Sequence, residues 1–239
     1  MHEELDLSDR GYTAVPADVC RRTTLTALNL YRNRLSTLPA EISRLTSLEV
    51  LILANNDLTE LPEEFGNLHS LKTLDLGHNH LSALPRSFRK LAQLSDYLYL
   101  HDNQLRTLEH SLFEGWTHLR YLNLGDNPLE YLPRSLGEAA SLEELRLENA
   151  GIEALPDWIG RLARLDELSL RNNSLTALPE SLTQLQALTR LDLRGNRFRS
   201  IPAPVTKLPR LRKLDLRWNP VVSRDGMERL KAQGCRVLF

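Results

Sequence analysis

From residue 25 to residue 47 the chain reads LTALNLYRNRLSTLPAEISRLTS, that is Leu25-x-x-Leu28-x-Leu30-x-x-Asn33-x-Leu35-x-x-Leu38-Pro39-x-x-Ile42-x-x-Leu45-x-x. The unit starts again at Leu48, Leu71, Leu94, Leu119, Leu142, Leu165, Leu188 and Leu211, a constant step broken only between Leu94 and Leu119, where it is two longer. Upstream, Leu5, Leu7, Tyr12, Val15, Pro16 and Val19 stand one such step before Leu28, Leu30, Leu35, Leu38, Pro39 and Ile42. A fixed period of this kind settles the organisation of the chain before any single element is assigned.

Inside the unit, Leu28 and Leu30 alternate with polar residues, the pattern of a short strand with one buried face. After Leu38 the apolar residues Ile42, Leu45 and Leu48 fall three apart, a helical period, and Pro39 suits the first position of a short helix or turn. Asn33, Asn56, Asn79, Asn103, Asn127, Asn173, Asn196 and Asn219 form a column where the strand ends, and their amides can satisfy backbone groups that the strand no longer pairs. Ala150 interrupts the column and is expected to leave a neutral gap covered by backbone or water. One unit cannot bury its own leucines, so neighbours must stack, strand beside parallel strand. Arg10 and Arg22 replace the usual Asn and Leu, so residues 1–24 read as a polar N-terminal capping repeat. Residues 25–222 are regular repeats, and 223–239 read as a C-terminal cap. In that cap Ser223 starts a helix that runs to Gln233 and Gly234 ends it, with Cys235, Val237 and Phe239 closing the stack.

These residues resemble the leucine-rich repeat family, in the class whose 23-residue units end in Leu-Pro. The resemblance implies a single α/β domain over 1–239, a curved horseshoe solenoid of about ten repeats with terminal caps. Its parallel β-sheet would line the concave face and short helices or turns the convex face. Similar units occur in intracellular animal and plant proteins that engage Ras-type GTPases or phosphatases, and in bacterial proteins, some of them secreted effectors. The fold alone does not carry a function.

Composition narrows the class. With 239 residues, 41% hydrophobic and 26% charged, the chain can bury a core, which excludes disorder and collagen. No run of about 18 apolar residues offers a membrane span. The opening Met1-His2-Glu3-Glu4-Leu5-Asp6 lacks the basic-then-apolar pattern of a signal peptide, so the expected place is the cytoplasm, with export by a route without an apolar signal left open. Cys20 and Cys235 read as reduced thiols. No nucleophile elbow, phosphate loop, dinucleotide fingerprint or zinc-protease motif is present, so neither catalysis nor a cofactor or metal is expected. His78, His80, His101 and Asp102 come close in the stack, and a metal-dependent enzyme built on them is the alternative from another class.

Strand alternation names the side chains that face out. Tyr97, Tyr99, Tyr121 and His101 should meet at the middle of the concave sheet beside Asn123 and Arg146, with Gly77 and Gly125 leaving room for an incoming group. Such a cluster reads either as a binding hot spot or as cross-strand packing. Charge supplies a second feature: residues 1–160 carry net −10 and residues 161–239 net +9. Arg171, Arg194 and Arg217 form a stripe at the C-terminal end, with Arg190 and Lys213 beside it and Trp218 next to Arg217. The stripe reads as a patch that docks an acidic partner surface, or as a solvated face offset by Asp192 and Asp215. Without a base-stacking motif beside the arginines, nucleic acid is not expected.

In the fourth unit Leu94-Ser95-Asp96-Tyr97-Leu98 carries one extra residue, and Phe113 and Trp116 follow in its longer second half. That departure is either an insertion repacked by the two aromatics or a kink that re-aims the concave surface. The expected function is non-catalytic binding of a protein partner on the concave face by Tyr97, Tyr99, His101, Tyr121, Asn123, Arg146, Arg171, Arg190, Arg194, Lys213, Arg217 and Trp218. The setting is that of a monomeric scaffold, with a secreted effector or inhibitor as the alternative. The opposite charges of the two ends also allow head-to-tail self-association.

Overall fold

The computed structural model describes residues 3–239. Each unit contributes one short strand: β1 (Glu3–Asp6), β2 (Leu25–Asn29), β3 (Val50–Ile52), β4 (Thr73–Asp75), β5 (Tyr97–Tyr99), β6 (Tyr121–Asn123), β7 (Glu144–Arg146), β8 (Glu167–Ser169), β9 (Arg190–Asp192), β10 (Lys213–Asp215) and β11 (Arg236–Leu238). They form one all-parallel sheet in sequential order. The strand leucines are buried in one continuous column, from Leu28 and Leu51 through Leu98 and Leu122 to Leu214. On the outer side lie seven 3-10 turns, from Ala40–Arg44 to Ala203–Lys207, and a helical turn with its side chains is broader than the roughly 4.8 Å between strands. The stack therefore bends with the sheet inside.

The asparagine column sews each coil to the one before it. Asn56 is representative: its Oδ1 accepts the Leu35 N–H at 3.0 Å, and its Nδ2 donates to the carbonyls of Leu30 at 3.0 Å and Leu53 at 2.9 Å. The same three bonds recur at Asn79, Asn103, Asn127 and Asn196. Where a unit lacks its asparagine, the next one compensates. Asn173 Oδ1 accepts both Ala150 N–H and Ile152 N–H, while Leu129 N–H turns to the Asn127 carbonyl at 2.9 Å. At Arg10 the pattern repeats, with Asn33 Oδ1 taking the N–H groups of Arg10 and Tyr12.

The insertion is absorbed on both sides of β5. Registered partners stand one repeat step apart along most of the sheet, as Leu28 and Leu51 do, but Leu74 pairs with Leu98 and Leu98 with Leu122, each one position further on. The added convex residues bury Phe113 and Trp116 completely, and Trp116 Nε1 donates to the Arg89 carbonyl at 3.0 Å. Phe65, Phe88 and Trp116 then stack at centroid distances of 6.1 Å, with Phe113 edge-on to Trp116 at 5.2 Å.

Three local expectations are corrected. Pro39 is not the first helical residue but the extended residue before it (φ −69, ψ 147), where its carbonyl accepts Ile42 N–H at 3.0 Å. The C-terminal helix α1 spans only Met227–Ala232 and starts at left-handed Gly226. Ser223 instead closes a small turn with Asp225. The tail does not merely cover the stack: β11 joins the sheet, pairing Leu214 with Val237 at the regular repeat step.

The column predicts a sharp asymmetry. Asn127→Ala orphans the Leu105 N–H and the carbonyl partners of a fully buried amide, so it should lower unfolding free energy by about 2–4 kcal/mol in urea titration. Ala150→Asn, at a site whose backbone is already satisfied, should change it by less than about 1 kcal/mol.

Candidate functional site

Because the leucine at the centre of each strand points inward, its two neighbours point to the concave side. The register stacks them into columns, and Tyr97 lies directly beside Tyr121 while Tyr99 lies beside Asn123. Ring centroids are 5.9 Å apart for Tyr97 and Tyr99, 5.5 Å for Tyr97 and Tyr121, and 4.8 Å for Tyr99 and Tyr121. His101 adds its ring edge at 6.0 Å from Tyr99. The cluster expected from the sequence is thus assembled, and Tyr97 keeps 47% of its surface exposed. Burial pushes the hydroxyl pKa values of Tyr99 and Tyr121 up, so both remain hydrogen-bond donors at neutral pH.

The glycines do not leave open room. A Cβ on Gly77 would collide with the ring of His101, and one on Gly125 would press on Glu148 and Asn123. Gly77 is therefore the seat of His101, whose pKa is pulled down by burial first and then by His78. His78 meets His101 edge to face at 4.7 Å and holds Asp102 through Nδ1 at 2.5 Å. His80 turns away, 3.9 Å from Asp57. Among the described residues no three His, Cys, Asp or Glu side chains converge as a metal site, so the four candidates do not form one centre.

Asn123 has local work: its Oδ1 accepts Gly125 N–H at 3.0 Å, as Asp75 does for Gly77 and Asp192 for Arg194. Arg146 reaches 6.0 Å from the centre of the Tyr121 ring while paired with Glu144 at 2.5 Å and Glu148 at 3.8 Å. Further along, Arg190 is held by Asp166 and Glu167, Arg194 by Asp192 and Asp215, and Arg217 by Asp215. Much of the arginine stripe is thus neutralised within the chain. Lys213 stands exposed, and Arg171 lies against Trp218.

Two parts of this face escaped the sequence reading. Val50 and Ile52 occupy outward positions on β3, separated from the tyrosines by Thr73 and Asp75 of β4, where a solvent-facing strand would carry polar residues. A cleft of about 540 Å³ also opens beside the cluster, lined by Asp96, Tyr97, Tyr121, Glu144, Arg164 and Arg190 among others. Nothing in the leucine period marks the cleft, because its lining positions lie outside that period. Together the rings, hydroxyl donors and fixed charges make a surface suited to contact.

The leucine-rich repeat signature matches residues 3–58, 47–96, 96–152, 153–198 and 163–221. A comparison with curated proteins returns no match. Among solved structures, a leucine-rich repeat protein of Leptospira interrogans is 38% identical with a TM-score of 0.91 over 98% of this chain. The match covers 60% of that protein, so this chain spans less than two thirds of its length. An internalin of Listeria monocytogenes is 21% identical, TM-score 0.74, over 100% of this chain and 73% of its own, and shares the fold. The plant peptide hormone receptor RGFR1, solved in complex with RGF2, is 26% identical with a TM-score of 0.73, over 86% of this chain and 34% of its own. With its repeats, sheet and signature in agreement, the chain belongs to the leucine-rich repeat family.

Proposed function

We propose that the chain is a non-catalytic scaffold that binds a protein partner on its concave face. The leucine-rich repeat fold is commonly a protein-interaction module, and the receptor noted above was solved with a peptide. The observation that carries the reading is the tyrosine cluster. Three phenol rings project from a sheet face between the apolar Val50 and Ile52 on one side and the arginine rows on the other. Aromatic side chains with a polar tip give large contact area at low entropic cost. Tyr97, Tyr99 and Tyr121 anchor the partner, with His101 and Arg146 as their supports. The C-terminal end, net positive over residues 161–239, orients an acidic edge of the partner. The proposed place of action is the cytoplasm, which fits two free, buried and unpaired thiols, Cys20 and Cys235.

Two outcomes test this. The tyrosines also pack on one another, so Tyr97→Ala with Tyr121→Ala should cost about 1–3 kcal/mol of stability yet leave a folded protein. That variant should lose a partner captured from extract of the source cells by the wild type. Retention of the partner by the folded variant would place contact elsewhere. In stopped-flow measurements with that partner, raising the salt from about 50 to 500 mM should slow association by about tenfold or more and change dissociation little. A salt-independent association rate would remove the charged end from the reading.

A further inference from the structure

At the turn after each of β1 to β10 one residue adopts a left-handed backbone. These positions hold Asp9, Arg32, Asn55, His78, Asp102, Asp126, Asn149, Asn172, Gly195 and Trp218. Asn, Asp, His and Gly tolerate that conformation, whereas Arg32 at φ 54 and the bulky indole of Trp218 at φ 61 are strained there. Trp218 does not offset this by burial, because 65% of its surface is exposed. What it does is gather cations: the guanidinium carbons of Arg171, Arg194 and Arg217 lie 5.6, 5.8 and 5.8 Å from its ring centre.

The three arginines are not equivalent. Arg194 is doubly bonded to Asp192 and approaches Asp215 at 3.7 Å, and Arg217 is doubly bonded to the same Asp215. Arg171 makes no ion pair among the described residues, and its Nε is shielded without an acceptor. Of the three, Arg171 alone has no carboxylate partner, because Glu148, one coil back in the same column, is engaged by Arg146 at 3.8 Å.

We infer that Arg171 and Trp218 form a receptor for a single carboxylate on an acidic segment of the protein partner. The inference rests on the concave-face reading above and names the chemistry its charged end recognises. Arg171 supplies paired N–H donors to the carboxylate oxygens, and the exposed indole covers the apolar stem of the same side chain. Arg194 and Arg217, tied down by Asp192 and Asp215, fix the ring in place. Charge selects a monoanion: a phosphate dianion would meet one unpaired guanidinium among the carboxylates of Glu148, Asp192 and Asp215.

The test uses the whole protein at about 20 mM salt, where surface charges are weakly screened, and a tryptophan-free hexaglutamate peptide as probe. Trp116 and Trp158 are buried, so the exposed Trp218 reports by fluorescence. The expected result is a saturable change with wild type that weakens about tenfold or more in Arg171→Gln and is partly recovered in Arg171→Lys. Arg199→Gln, which removes an equal charge from an exposed site off the concave sheet, should weaken it less than about threefold. No saturable change in wild type, or equal weakening by Arg171→Gln and Arg199→Gln, would overturn the receptor. Inorganic phosphate binding as tightly as the peptide would overturn its selectivity for a carboxylate. Because the probe is added to the isolated protein, such a failure would leave partner capture through the tyrosines standing. Loss of partner capture alone would likewise leave the peptide result intact.

Discussion

Each coil of this chain ends its strand with backbone groups that it cannot satisfy alone, and the asparagine side chain of the following coil completes them. Asn56 bonds to Leu35 and Leu30 behind it and to Leu53 in its own coil, so one amide ties two units together and fixes their spacing. The leucine column depends on that spacing, since three-residue strands bury only one leucine each and gain a core only by regular repetition of the same step. The two units without the asparagine show how strict the requirement is. At Arg10 and Ala150 the neighbour's amide oxygen takes two N–H groups, and no coil is left with the gap.

Once the step is fixed, the concave face follows as a set of columns whose chemistry varies freely. That freedom places an apolar stretch at Val50 and Ile52, tyrosines at the middle and arginines at the far end. It also explains why the insertion before β5 is tolerated. Phe113 and Trp116 fill the convex side, the leucine register slips by one residue twice, and the tyrosines still align.

The period, the strands, the buried asparagines and the meeting of Tyr97, Tyr99 and Tyr121 were legible because each depends on spacing alone. What spacing does not specify was read less well. Pro39 has the same sequence neighbours whether it opens the turn or precedes it, and only its carbonyl bond to Ile42 decides. Val237 and Phe239 stand one repeat step after Leu214 and Leu216, a phase that marks β11, but the apolar helical spacing of Met227 and Leu230 overshadows it. Gly77 looked like open space because the ring that fills it comes from the next coil. For the arginine stripe the sequence left two readings, a docking patch or a face offset by Asp192 and Asp215, and only the local turns, which bring those aspartates onto Arg194 and Arg217, show how far the offset goes.

The central claim, that the concave tyrosines form the contact surface, is tested most directly by hydroxyl-radical footprinting of the protein alone and with its captured partner. Tyr97 is 47% exposed on the concave sheet, and Tyr131, 39% exposed, lies outside the strands. The account predicts that the partner shields Tyr97 and Trp218 from oxidation and leaves Tyr131 unchanged. Shielding of Tyr131 with Tyr97 still fully reactive would contradict it.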